Sequence, residues 1–440
     1  MQGLIGPLKE LAEFEELCKN KKKDVGMIRV CGCVNSQKSH MMYALGDGCK
    51  YKVIACSSET KAKQIYEEYR FLDSNTYLYP AKDFLFYQAD IRSKELVKQR
   101  MEGIQAVLSG EPVTVVTSLD GFMDHLAPKE SIAEKVLKIQ NDSVLKLDEM
   151  AEKLSVIGYD REVQVEGPGQ FAVRGGILDI YPLTEELPVR IELWGDEVDS
   201  IRTFDVESQR SIENLMDIVI YPAVEFPQNG EKGVSFLDYF PPEDTILFLD
   251  EPVRLVERGQ NIEDEFMEAQ KKRLESGYDL EEEEAKIFPV TEILKKINCY
   301  SSIGFYALGM KCKGLEVRES YEIQAKSVNP YNNSFEMLTQ DLKRLKRNGY
   351  RVILLSGSRT RAKRLAEDLR DYNLSSYYSE DLDREVKPGE IMTAYGYIAE
   401  GYEYPMLKFT VIAESDISAN GKRRKRERHM KAVKSRAFRN

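Results

Sequence analysis

The sequence GYDREVQVEGPGQFAVRGGILDIYPLTEELPVRIELWGDEVDSIRTFDVESQR, residues 158–210, alternates apolar and polar side chains over several short runs. Such alternation is typical of strands that bury one face and expose the other. Gly169, Gly175 and Gly176 fall between the runs, where they predict turns rather than ligand contacts. The pattern predicts a small α+β domain with antiparallel strands over residues 123–212.

The flanking segments have a different pattern, in which short β-branched runs alternate with helical periods. Residues 27–32, 51–56 and 112–117 (MIRVCG, YKVIAC and PVTVVT) predict buried parallel strands. We therefore predict an α/β fold in which a doubly wound parallel-sheet domain is divided between residues 1–122 and 213–325 around the inserted antiparallel domain. A small α/β domain follows at 326–417 and a basic linker or tail at 418–440, while the acidic run at 281–284 predicts a solvated loop or helix end.

Charge is spread unevenly along the chain. Residues 422–440 carry ten Lys or Arg and one Glu, a net charge of +9, so the other residues carry −20 against a total of −11. An acidic body repels the phosphate backbone, so most of the chain is poorly suited to general DNA binding. The tail predicts a solvated linker, with non-specific nucleic-acid binding as the alternative, through Lys422, Arg423, Arg424, Lys425 and Arg426.

Composition indicates a cytoplasmic protein without a metal site. No apolar run approaches the roughly 20 residues that a membrane helix needs, and the first residues do not form a secretory signal. The chain has seven cysteines and three histidines, and none of them has zinc-ligand spacing. We expect a monomer that has neither a membrane partner nor a cofactor of its own.

One segment has the partial pattern of a phosphate-binding loop, GxxxxGK[ST]. Gly32, Lys38 and Ser39 are in register with it, but Gln37 stands where the second glycine belongs. A glutamine side chain would occupy the space of the phosphates and restrict the backbone. Downstream, Asp250 and Glu251 follow an apolar strand as the acids of a Walker B motif do. We predict a degenerate nucleotide site at Gly32, Gln37, Lys38, Ser39, Asp250 and Glu251, without catalytic residues.

Four segments in the same order resemble the bacterial family of UvrB and the transcription-repair coupling factors. They are the loop at 32–39, LYPAKDFLFYQADIRSKELVKQRMEGIQAV (78–107), the stretch at 158–210, and LDYFPPEDTILFLDEP (237–252). The short connection after TYLYP (76–80) and the final stretch YGYIAEGYEYPMLKFTVIAESDI (395–417) favour the N-terminal region of the coupling factors. The resemblance implies a degenerate P-loop or helicase-like parallel-sheet domain, with a UvrA-docking domain inserted in it at 123–212.

The resemblance also implies which residues dock UvrA. Arg161 and Arg174 align with arginines that pair with acids of UvrA, although Ala172 stands where UvrB has a further arginine. Phe171 and Tyr181 are candidate aromatic anchors, with burial in the domain core as the alternative for each. For Trp194, the single tryptophan, we expect packing in the core or at a domain junction rather than stacking on nucleic acid.

Full-length coupling factors continue into polymerase-interaction, motor and C-terminal domains, which have no counterpart in these 440 residues. The resemblance therefore implies an adaptor in transcription-coupled nucleotide excision repair that is not an enzyme and whose docking surface is unmasked. RNA polymerase, DNA, ATP and magnesium would be engaged only through the further domains. The alternatives are a part of a full-length ATP-dependent DNA translocase, and a nucleic-acid binder that uses its basic tail.

Overall fold

The computed structural model of this chain describes residues 2–82, 94–227, 230–277 and 286–418. The acidic run at 281–284 and the basic tail from Lys422 to Arg426 lie outside the described residues. The chain divides into two compact units. Unit 1 comprises Met1–Thr76, Pro242–Glu257 and Leu294–Asn440, and unit 2 comprises Tyr77–Pro241 and Arg258–Ile293. The segment boundaries predicted above remain predictions.

The strands of the described residues are numbered here in chain order. They are β1 (Gly26–Cys31), β2 (Tyr51–Cys56), β3 (Thr76–Tyr79), β4 (Val113–Ser118), β5 (Leu137–Gln140), β6 (Asp160–Arg161), β7 (Gln170–Arg174), β8 (Ile177–Tyr181), β9 (Val189–Trp194), β10 (Glu197–Phe204), β11 (Ser211–Leu215), β12 (Asp217–Ile220), β13 (Thr245–Asp250), β14 (Ser301–Phe305), β15 (Val317–Glu322), β16 (Lys326–Ser327), β17 (Arg351–Ser356), β18 (Ser376–Tyr378), β19 (Ile391–Tyr395), β20 (Tyr402–Tyr404) and β21 (Phe409–Ala413).

The α-helices are numbered in the same way. They are α1 (Gln2–Ile5), α2 (Ala12–Asn20), α3 (Asn35–Leu45), α4 (Glu59–Leu72), α5 (Lys94–Leu108), α6 (Lys129–Glu134), α7 (Leu147–Val156), α8 (Pro252–Glu275), α9 (Val290–Ile297), α10 (Phe335–Arg347), α11 (Arg359–Asp371) and α12 (Glu414–Ile417). No helix among the described ranges combines the length and the apolar character that crossing a membrane requires.

Unit 1 contains a parallel sheet in which five strands lie in the order β15-β1-β14-β13-β2. The strands β1, β13 and β14 are buried almost throughout, which explains their nearly continuous apolar sequences. A second sheet of this unit has the order β16-β20-β21-β17-β19-β18. Its last four strands in this order, β21, β17, β19 and β18, are parallel to one another. The predicted α/β class with a parallel sheet is confirmed.

Unit 2 contains the antiparallel sheet that the opening stretch predicts. Its order is β11-β10-β9-β8-β7-β6, and every neighbouring pair is antiparallel except β6 with β7. Two-residue loops join β7 to β8 and β9 to β10, and each begins with a glycine at positive φ, Gly175 at +59° and Gly195 at +66°. Such short loops need a residue that adopts this left-handed backbone without strain.

One face of this antiparallel sheet packs on the core of unit 2. Alternate residues supply it, and helix α7 adds Ala151 and Leu154. The sheet residues in this core include Phe171, Leu178, Ile180, Val189 and Ile191. Because side chains alternate along a strand, the residues between these point away from the core. We call that second surface the outer face; its members include Ala172, Arg174, Asp179, Tyr181, Arg190, Glu192 and Trp194.

Candidate functional site

Gly32, the first residue of the predicted phosphate-binding loop, has a structural reason to be glycine. It follows β1 with φ of +78°, and a Cβ there would lie 2.1 Å from the carbonyl oxygen of Ile323. The Gly32 carbonyl also accepts a hydrogen bond from the backbone N–H of Ala325 at 3.3 Å. The close approach of the chain after β15 therefore explains this glycine without any nucleotide.

Gln37 fills the position of the missing glycine with a fully buried side chain. Its Oε1 accepts a hydrogen bond from the backbone N–H of Val34 at 3.1 Å, at the start of α3. Its Nε2 donates to the hydroxyl of Tyr404 at 3.0 Å. The glutamine thus occupies a helix N-terminus, the place where a phosphate would accept backbone hydrogen bonds.

Lys38, which would contact the phosphates in an active loop, is instead paired with the two predicted Walker B acids. Its Nζ lies 2.8 Å from Asp250 Oδ1 and 2.6 Å from Glu251 Oε1, and the lysine side chain is only 5% exposed. Burial by itself lowers the pKa of Lys38, but the two carboxylates outweigh it and raise that pKa overall. Glu251 Oε1 also accepts from the backbone N–H of Ala307 at 2.9 Å.

The hydroxyl of Ser39, which would hold magnesium, donates a hydrogen bond to the buried carboxylate of Glu68. Ser36 also donates to Glu68, at 2.7 Å, and so does the backbone N–H of Ala399, at 3.0 Å. The loop therefore satisfies its donors with carboxylates of this chain. These residues do not fit a nucleotide with magnesium, because the glutamine side chain, the paired lysine and the bonded serine each occupy a ligand's place.

The outer face of unit 2 carries a compact charge cluster around Asp179. Arg190 donates to Asp179 through Nε at 2.7 Å and through Nη2 at 2.9 Å, in a bidentate arrangement. Arg174 donates to the same carboxylate through Nη2 at 2.7 Å. The Asp179 side chain is 1% exposed, whereas that of Arg174 is 44% exposed. Two cations share one anion, so the cluster presents a net positive charge.

The two predicted docking arginines lie on different faces of the sheet. Arg161 pairs with Phe171 in register across β6 and β7, whereas Arg174 belongs to the outer face. Arg161 is exposed on the edge strand β6. The sequence could not reveal that the two arginines lie on different faces. The face of Arg161 follows from the register between the two-residue strand β6 and the strand β7, in which its partner lies ten residues further along the chain.

The two candidate aromatic anchors lie on opposite faces of the sheet. Phe171 is fully buried in the core of unit 2, so its proposed role as a surface anchor is corrected: the ring lies on the core face of β7. Tyr181 is half-buried on the outer face, and its hydroxyl donates to the backbone oxygen of Glu186 at 2.7 Å. Burial raises the pKa of Tyr181.

Trp194 is the functional candidate that the sequence reasoning missed. Its side chain is 85% exposed at the end of β9, so the expectation of core or junction packing is wrong. It lies two and four residues beyond Glu192 and Arg190 and therefore shares the outer face with them. Val144, which is 78% exposed, bridges to Glu197, the residue directly opposite Trp194. The sequence VRIELW carried this signal, because Trp194 alternates in phase with the polar Arg190 and Glu192 and not with the apolar residues between them.

Two comparisons with known proteins found similarities to this chain. Residues 137–226 match the family model of the UvrB interaction domain. The chain is 25% identical, over 95% of its length, to the transcription-repair-coupling factor of Bacillus subtilis (strain 168), of which it spans 40%. It is 24% identical to the transcription-repair-coupling factors of Staphylococcus haemolyticus and Staphylococcus aureus (strain MRSA252), over 81% and 82% of its length, and spans 35% of each.

A comparison with solved structures adds less. A hypothetical ATP-dependent RNA helicase from Sulfolobus tokodaii aligns with 87% of this chain and 82% of its own at 10% identity, with a TM-score of 0.22. That score is too low to show a common fold. The chain spans well under half the length of the curated relatives that it matches.

Proposed function

We propose that this chain, a relative of the N-terminal region of transcription-repair coupling factors, acts as an adaptor in transcription-coupled nucleotide excision repair and docks UvrA. The match of residues 137–226 to the UvrB interaction domain supports a docking role. The outer face, with the half-exposed Arg174 and the exposed Trp194, is the surface we assign to it.

The chemistry of this face suggests what a partner must offer. A guanidinium has five N–H donors, and Arg174 uses one of them on Asp179 among the described residues. The remaining donors can take a carboxylate of the partner in a bidentate bond. The exposed Trp194 and Val144 supply apolar contact area, Trp194 on the same face as Arg174, and tryptophan and arginine are the side chains that most often dominate binding energy. An acidic partner surface with a neighbouring apolar pocket fits both.

The loop at 32–39 has no role in ATP hydrolysis in the function that we propose. The pairing of Lys38 with Asp250 and Glu251 carries this part of the proposal, because it neutralises the groups that would bind phosphate and magnesium. Any translocase activity would then belong to domains of the longer relatives.

Titration of the folded chain into purified UvrA tests the docking proposal. Arg174→Glu should weaken binding by at least about 2 kcal/mol if the arginine is desolvated in the complex. Arg161 remains a proposed contact at the sheet edge, and Arg161→Glu should have the smaller effect because it lies on the other face. Unchanged affinity of the Arg174→Glu variant would remove the outer face as the docking surface.

A further inference from the structure

The charge cluster of the outer face contains Asp179, although we propose that this face binds acidic side chains of a partner. Asp179 is buried, yet it lies beside Arg174, the arginine that the docking proposal assigns to a partner carboxylate. A buried carboxylate at this place would compete with the partner unless it has another task. The geometry of the cluster indicates what that task is.

Arg190 is held from several sides. Besides its two bonds to Asp179, its Nη2 donates to Gln209 Oε1 at 2.8 Å, and its guanidinium lies 4.4 Å from the centre of the Phe204 ring. Its side chain is 14% exposed. Arg190 and Asp179 therefore form an internal, mutually neutralised pair that is fixed in place.

Arg174 differs from Arg190 in having a single anchor. Its hydrogen bond to Asp179 Oδ2 is the one that the described residues give its guanidinium. A free arginine side chain samples many rotamers, and ordering it costs binding energy when a complex forms. An arginine that is already held in its bound position loses less freedom, so a fixed anchor increases affinity without touching the partner.

We infer that Asp179 is a positioning residue for docking: its carboxylate, fixed by Arg190, holds the half-exposed Arg174 guanidinium in place on the outer face. This inference rests on the proposed function. It assigns to Asp179 an effect on affinity that acts through Arg174 and requires no contact with the partner.

A thermodynamic cycle between Arg174→Ala and Asp179→Asn tests the inference, with affinity for purified UvrA as the readout. Asparagine keeps the size of aspartate and removes its charge. Asp179→Asn should weaken binding roughly tenfold in the parent, as expected for one side chain that must be ordered during binding. In the Arg174→Ala background the same substitution should change affinity less than twofold, because there is no guanidinium left to hold.

A purely structural role for Asp179 would instead weaken binding equally in both backgrounds, and that result would overturn the inference. So would unchanged affinity of Asp179→Asn in the parent. If Arg174→Ala itself binds as tightly as the parent, the docking face is refuted rather than this role alone.

Asp179→Asn leaves Arg190 without its anion and could prevent folding. The double variant Asp179→Asn/Arg190→Gln avoids that problem, because it removes both members of the buried pair. It should retain the roughly tenfold loss of affinity with Arg174 present, and no loss with Arg174→Ala. Equal losses in the two backgrounds would again contradict the role of Asp179.

Discussion

Replacing Lys38 by methionine separates a structural loop from a nucleotide-binding one. In an active phosphate-binding loop the lysine contacts the ligand, so its removal abolishes nucleotide binding and leaves the fold largely intact. Here Lys38 is 5% exposed and pairs at 2.8 and 2.6 Å with Asp250, 2% exposed, and Glu251, 20% exposed. Methionine fills the space of the lysine stem but leaves two neighbouring carboxylates without a cation.

The expected cost follows from those burials. Breaking a buried ion pair by removal of one partner typically costs 3–5 kcal/mol, since the remaining charge stays buried and uncompensated, so we expect about 3 kcal/mol or more for Lys38→Met. That is a large fraction of the 5–15 kcal/mol that typically stabilises a domain. Neutralising the acids together with the lysine, in Lys38→Met/Asp250→Asn/Glu251→Gln, should recover most of the loss.

Hydrogen exchange measured by mass spectrometry can locate this effect in unit 1. Peptides covering β1, β2 and β13 should exchange roughly 100-fold faster in Lys38→Met, if they open with the cooperative unfolding of the sheet. Lys146→Met is the matched control, because Lys146 pairs with Glu149 at an exposed surface position and its loss should not change exchange measurably. Parent-like exchange in Lys38→Met would refute the structural role of the loop.

Three other predictions concern acid stability, a buried network and the exposed tryptophan. Burial lowers the pKa of His40 to about 4 from an unfolded value near 6.5, so the folded state binds fewer protons than the unfolded state between these values. The free energy of unfolding should therefore be unaffected by His40 above pH 6.5 and fall by about 3 kcal/mol towards pH 4, and His40→Gln should flatten the pH profile of the denaturation midpoint. A parallel profile for the variant would contradict this. Glu225→Gln should destabilise unit 2 by about 3 kcal/mol in urea denaturation, because the fully buried Arg100 donates to both Glu225 oxygens at 2.8 and 2.9 Å, whereas the exposed control Glu134→Gln should not. Trp194→Ala should weaken UvrA binding roughly tenfold or more without a change in melting temperature, while Val163→Ala, at a similarly exposed position, should leave affinity unchanged; equal affinities for the two variants would exclude Trp194 as an anchor.

Local patterns predicted most of the fold. The apolar runs of β1 and β2 indicated a parallel sheet because strands buried on both faces are apolar throughout. The alternation and paired glycines of 158–210 indicated the antiparallel sheet. By contrast, β15 has exposed and half-buried residues at an edge, and its sequence VRESYE carries no strong strand signal.

The sites were less predictable because their partners are distant in sequence. Gln37 identified the loop as degenerate, but the hydroxyl that accepts a hydrogen bond from its side-chain amide belongs to Tyr404, 367 residues away. Burial of Phe171 and exposure of Trp194 did have a local signal, because the alternation in QFAVR and VRIELW puts Phe171 on the apolar face and Trp194 on the polar one. The carboxylate shared by Arg174 and Arg190, in contrast, required the register of three strands.

The most direct test of the adaptor proposal is the affinity of the folded chain for purified UvrA, measured by calorimetry beside Arg174→Glu and Arg161→Glu. The account predicts that the parent binds, that Arg174→Glu loses at least about 2 kcal/mol of binding free energy, and that Arg161→Glu loses less. Failure of the folded parent to bind UvrA, or an affinity of Arg174→Glu equal to that of the parent, would contradict it.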